Sequence, residues 1–209
     1  MKRILAASLA AAALILGSAT AANASPTISN TTISSTITST ACIRAIVAAQ
    51  SRGAEGLSVG VCTVETTTRT GAETKVRASK LSDLQSNFSA DEFKSISLAA
   101  AAGTVKSKSY SQTINQITDQ ETQKGTFYYN GTRVWVTTAY SGYTGTHFCN
   151  VDYSAGYSIT NTACSDSGSS TSRKLQMNWN VSMVIKGGPI SWAASYTMHV
   201  SSAGTATNG

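Results

Sequence analysis

Few side chains in this sequence are of a type that could perform chemistry. There are two histidines, His147 and His199, four cysteines, and a thin scatter of carboxylates. His147 sits in "GYTGTHFCNVD", two residues before Cys149 and near Asp152. A Ser/His/Asp set can be drawn through it, but no Gly-x-Ser-x-Gly elbow supports one, and serine is so abundant that chance matches cost nothing. A hydrolase relying on His147 therefore ranks below a structural role, with the ring bonded to a loop carbonyl. His199 lies in a strand pattern on the face opposite Met198 and Val200, which favours a solvated or hydrogen-bonded ring. Asp119 and Glu121 are two apart and share a strand face, yet their setting, "TDQETQKG", is polar and beside a turn. Nothing there would desolvate them and raise a pKa for acid–base work. No phosphate loop, EF-hand loop or His-Glu-x-x-His pattern occurs. The expectation is a protein without catalytic residues, cofactor or metal.

The cysteines point to structure instead. Four in an exported chain imply two disulfides, with three connectivities open. Cys42 with Cys62 and Cys149 with Cys164 are the sequence-local pairs; each closes a loop of about 15–20 residues and is worth about 3 kcal/mol by chain entropy. No Cys-x-x-Cys occurs to suggest a zinc site.

Export is read from the first residues. Met1, Lys2 and Arg3 precede the apolar run "ILAASLAAAALILG", and Ala22-Asn23-Ala24 offers a small-x-small cleavage site. The reading is a signal peptide over 1–24, a Ser/Thr-rich flexible arm over 25–41, a disulfide-stabilised domain over 42–203 and a tail over 204–209. The apolar run is too short for a membrane anchor. Losing Lys2 and Arg3 takes the formal charge from +6 to +4. Those charges are scattered, so a basic stripe for nucleic acid is missing; Lys106 and Lys108 are only a pair.

The elements that must position these residues are mostly strands. "TACIRAIVAAQSRG" has helical composition, with Thr40 as a cap and Gly53 as the stop, while its Ile and Val content leaves a strand open as the alternative. "LSVGVCTVETTTRT" alternates Leu57, Val59 and Val61 and reads as a strand. In "NFSADEFKSISLAAAAG", Ser89 and Glu92 form a capping box, Phe88 and Phe93 a hydrophobic staple, and Gly103 ends a helix. Asn130-Gly131 predicts a type I′ hairpin. Leu175 to Ile185 and Ile190 to Val200 alternate with period two, which means two long antiparallel strands, each with one buried face. "SDSGSSTSR" before them reads as a mobile loop. The fold class is mainly β, an antiparallel sandwich or open barrel with one or two packed helices.

Nine of the fifteen Phe, Trp and Tyr residues fall between Phe127 and Tyr157. Phe127, Trp135 and Tyr157 must partly build the core. Tyr129 on the hairpin, and Tyr140 and Tyr143 beside glycines, are the candidates for a tyrosine surface that meets a protein or a sugar.

The stretch "GTFYYNGTRVWVTTAYSGYTGTHFCNVDYSAGYSITNTAC", followed by a Trp-bearing closing hairpin, resembles small secreted two-disulfide proteins of actinobacteria. Within that group it is similar to the small adaptor subunit of the umbrella-shaped antibacterial toxin particles of streptomycetes. The resemblance spans roughly residues 42–200 and implies a non-enzymatic linker between a lectin-like subunit and a repeat-bearing toxin subunit; it maps no functional residues. It bears on the arm: eleven of residues 25–40 are Ser or Thr, three are Ile, and none is charged. Such a peptide is either a slack leader or a partner-binding strand, with Ile28, Ile33 and Ile37 filling pockets. Spacings of five and four keep the three isoleucines off one common strand face, which counts against a first strand in the protein's own sheet. The expected function is a secreted, protein-binding adaptor; an exoenzyme inhibitor or a carbohydrate-binding module are the alternatives.

Overall fold

The computed structural model describes residues 30–76, 89–91, 93–94, 97, 105–116, 119–140 and 142–209. The described chain is an antiparallel β-sandwich. Its first sheet holds β1 (Thr31–Thr38), β2 (Thr63–Thr70), β3 (Thr74–Lys75), β4 (Lys106–Asn115), β5 (Asp119–Tyr129), β6 (Val134–Trp135) and β7 (Thr146–Ser154). Both β2 and β3 pair with β4, and both β6 and β7 pair with β5. The second sheet runs in the order β11 (Ala206–Asn208), β10 (Gly188–Ser201), β9 (Ser172–Ile185), β8 (Ser158–Gly168). One helix, α1 (Thr40–Gln50), packs against β10.

The period-two pattern of β9 and β10 does what it predicts. Met177 faces Tyr196, Trp179 faces Ala194 and Val181 faces Trp192, all buried. Their inner face meets Val64 and Ile114 of the first sheet, and Cys42, Ile46 and Ala49 of α1 close that end of the core. Each fully buried aliphatic or Met side chain here contributes about 1.5–3 kcal/mol through loss of apolar surface from water. A second apolar cluster fills the other end, from Tyr110, Phe127, Tyr129 and Val134 to Leu175, Met198 and Val200. Between them lies a polar layer. Thr68, Gln112 and Gln123 face one another across β2, β4 and β5 and are buried.

Each side of the sandwich is fastened. Cys149 of β7 is bonded to Cys164 of β8, joining the two sheets, and Cys42 is bonded to Cys62 beside α1, so both local pairings hold. Replacing Cys149 and Cys164 together by serine is expected to cost about 3 kcal/mol, read as a lowered denaturant midpoint. On the opposite side, Asn208 of β11 donates from Nδ2 to Ser35 Oγ of β1 at 2.7 Å. Its Oδ1 accepts from Thr68 Oγ1 and, at 3.2 Å, from Gln112 Nε2. The expected tail 204–209 is thus a structural strand rather than an appendage.

The flexible arm is corrected over most of its length. Thr31–Thr38 is β1, paired in full register with β2. Ile33 and Ile37 are four apart and share the inner face, opposite Thr68 and Val64, which is enough for a strand of the protein's own sheet. β-branched Thr and Ile suit a pleated, half-buried strand, and pairing to β2 supplies the order that the peptide lacks alone. Ser39, not Thr40, caps α1 by accepting from Cys42 N.

Other boundaries moved as well. Val59–Cys62 is a 3-10 turn, so the expected strand from Leu57 begins only at Thr63, and Val59 is exposed. The Asn130-Gly131 hairpin has a four-residue loop: Asn130 Oδ1 accepts from Thr132 N and Arg133 N, making a side-chain turn in place of a type I′ pair. "SDSGSSTSR" is no loose loop. Ser165 to Gly168 end β8, Ser169–Thr171 turn, and Arg173 Nε bonds Asp166 Oδ1 at 2.8 Å. Ala90, Asp91, Phe93, Lys94 and Ser97 are helical, with Phe93 N donating to Ser89 O at 2.9 Å. Glu92 of the expected capping box, Phe88 of the staple, and Gly103 lie outside the described residues. No described helix is long and apolar enough to cross a membrane.

Candidate functional site

The tyrosines expected to meet a partner are mostly core. Tyr129 is 3% exposed, its hydroxyl donating to Glu73 Oε2, and Gly204 lies so close that a Cβ there would strike the ring. Tyr143 is 6% exposed and stacks on Tyr128. Tyr140 is half-buried, edge-on to Trp135, with the Arg133 guanidinium 4.2 Å from its ring centre. Tyr128, Trp135, Tyr140 and Tyr143 build a third small cluster with Val105, while Tyr129 belongs to the second. Aromatics are doing the work that Leu would do in a leucine-rich core. Of the isoleucines, Ile28 lies outside the described residues, while Ile33 and Ile37 turn inward as described.

His147 is a brace. Its Nδ1 is 2.8 Å from the Tyr110 hydroxyl, which also donates to Thr146 O, and its Nε2 is 3.7 Å from Cys149 Sγ. Burial depresses its pKa, keeping the ring neutral at pH 7. His147, Cys149 and Cys164 bring three potential metal-ligand atoms within 4.8 Å of one another, but the two sulfurs form a disulfide and offer no thiolate.

The carboxylates overturn their expected surroundings. Asp119 and Glu121 are 1% and 2% exposed, because β5 turns that face inward onto Tyr196 and its neighbours. Burial first, then the charges of Asp119 and Asp152, push the Glu121 carboxyl up to about 8. Among the described residues Glu121 Oε2 has no hydrogen-bond partner. The sequence hid this because "TDQETQKG" looks solvated until its strand is placed between two sheets.

What the fold leaves open is an edge and a face. Among the described residues β1 pairs only with β2, so one side of its backbone ends the sheet. Ser39 N donates to Cys62 O, and antiparallel alternation then aims the N–H and C=O groups of Ile33, Ser35 and Ile37 at β2. Those of Thr32, Ser34, Thr36 and Thr38 point out of the sheet. No charge, proline or bulge blunts this eight-residue edge, the devices by which sheets ordinarily avoid adding strands. The outer face of the same sheet is rich in Ser and Thr. One row across five strands reads Thr32, Arg69, Ser111, Lys124, Phe148. Phe148 is 56% exposed, and Tyr153 further along β7 is 48% exposed. No family model, curated protein or solved structure matches the chain.

Sequence reasoning missed this row. Arg69, Lys124 and Phe148 are up to seventy-nine positions apart, and only strand register lines them up. The signal available was the alternation in "TVETTTRT" and "KSKSYSQTIN", which marks polar outer faces without saying which strands are neighbours.

Proposed function

We propose that this protein is a secreted, non-enzymatic binding subunit that recruits a partner protein by accepting a strand of it against β1. The observation that carries the reading is the long, uncharged and unblunted β1 edge, whose outward amides supply main-chain affinity for an extended segment. Two disulfides fit an oxidising, extracellular setting, and the basic-apolar start of the chain fits export. As an adaptor, the protein uses residues 31–38 as an acceptor edge in place of a donated arm. The assembly suggested by resemblance, with a lectin-like subunit and a repeat-bearing toxin subunit, supplies candidate partners.

The test uses a proline that spares the fold. At Ser34 the N–H points away from β2, so Ser34→Pro removes an edge donor without breaking the β1–β2 ladder. Wild-type and S34P proteins serve as baits in the producer's culture fluid, with retained proteins identified by mass spectrometry. Wild type is expected to hold discrete secreted proteins that S34P loses, at equal melting temperature. Identical retention by both baits would remove the edge from the account.

A further inference from the structure

The outer face of the first sheet carries a groove of about 720 Å³, separate from the β1 edge in the chemistry it offers. Arg69 and Lys124 line it, both exposed and neither in a salt bridge among the described residues, with no carboxylate among the described lining residues. They sit either side of Ser111 in one row, two strand spacings or about 10 Å apart. Hydroxyls of Thr32, Ser109, Ser111, Thr126 and Thr146 fill the floor and walls, and the exposed Phe148 ring stands at the β7 side.

We infer that this groove binds an acidic polysaccharide. The two cations match anionic groups spaced along a chain. A dense set of hydroxyls, each both donor and acceptor, matches the hydroxyls of a sugar. The Phe148 ring provides a flat apolar platform for a pyranose face. An acidic peptide would use the cations but leave the hydroxyl wall and the ring unused, and a neutral glycan would leave two unpaired cations facing it. The groove meets the β1 edge at Thr32 and runs from there across the sheet face to β7, so the two sites adjoin at that one residue.

The test is affinity electrophoresis and calorimetry of the mature protein with three probes: polygalacturonate, neutral dextran and poly-L-glutamate. Polygalacturonate is expected to retard wild type, with binding weakened by added salt. The pair Arg69→Gln and Lys124→Gln together should lower affinity at least tenfold, and Phe148→Ala several-fold, with melting temperatures unchanged because all three side chains are exposed. Dextran and poly-L-glutamate should bind at least tenfold more weakly. Dextran equal to polygalacturonate, with no effect of the charge changes, would overturn the acidic specificity. Poly-L-glutamate equal to polygalacturonate, with Phe148→Ala silent, would reduce the groove to a plain charge patch and overturn the inference. No retardation by polygalacturonate would do the same. The S34P pull-down is independent of all three results, so failure here leaves the edge reading standing.

Discussion

Thermal stability is expected to fall steadily as pH rises from 5 to 8, and Glu121→Gln is expected to abolish most of that fall. Glu121 is 2% exposed and its carboxyl holds its proton up to about 8 in the fold, against 4.5 when exposed to water. Between those values the folded chain carries a proton that the unfolded chain has released. Stability then declines with pH, by about 1.4 kcal/mol per unit for one such group. The contribution is complete below 4.5 and lost as pH passes through 8, a swing on the order of a few kcal/mol. Gln has nearly the same shape and no proton to lose, so the variant should match wild type near pH 5 and exceed it above pH 7. Melting curves of both proteins from pH 4.5 to 9 check this; parallel curves would mean that Glu121 reaches water.

Asn208→Ala is expected to be strongly destabilising, although Asn208 is the last residue but one of the sequence. Asn208 joins four side chains: Ser35, Thr66, Thr68 and Gln112. Thr66, Thr68 and Gln112 are at most 1% exposed. Gln112 Nε2 also donates to Thr197 O, and its Oε1 accepts from Gln123 Nε2. Removing Asn208 leaves the Thr68 hydroxyl without the partner it uses in the fold and weakens Gln112, at about 1–3 kcal/mol for each buried group left unsatisfied. A loss of roughly 2–4 kcal/mol lowers the melting temperature by about 5–15 °C in a domain of this size. Deleting 206–209 should do at least as much. A melting temperature within two degrees of wild type would show that water replaces the amide.

What the sequence made legible follows from how local each signal is. β9 and β10 are long, sequential and strictly alternating, so their pairing could be read directly from Leu175 to Val200. The disulfides were legible for the same reason, each closing a short loop. β1 was misread because its partner, β2, lies twenty-five to thirty-nine residues away and because two inward isoleucines are too weak a pattern beside so much Thr and Ser. Tyr129 and Tyr143 were misread because tyrosine serves core and surface alike, and only the approach of Gly204 and Tyr128 decides between them. Glu121 and Arg69 show the same limit from opposite sides. One charged residue ended in the core and another on a shared row, both placed by strand neighbours distant in sequence.

The most direct test of the strand-accepting edge is residue-resolved amide exchange of β1, by NMR, in the free protein and with the protein retained by wild-type bait. In the free protein Ile33, Ser35 and Ile37 should exchange slowly, and Thr32, Ser34, Thr36 and Thr38 rapidly. Adding the partner should slow those four outward amides while leaving the inward three as they were. Protection of the outward amides before the partner arrives, or their continued rapid exchange once it is bound, would contradict the account.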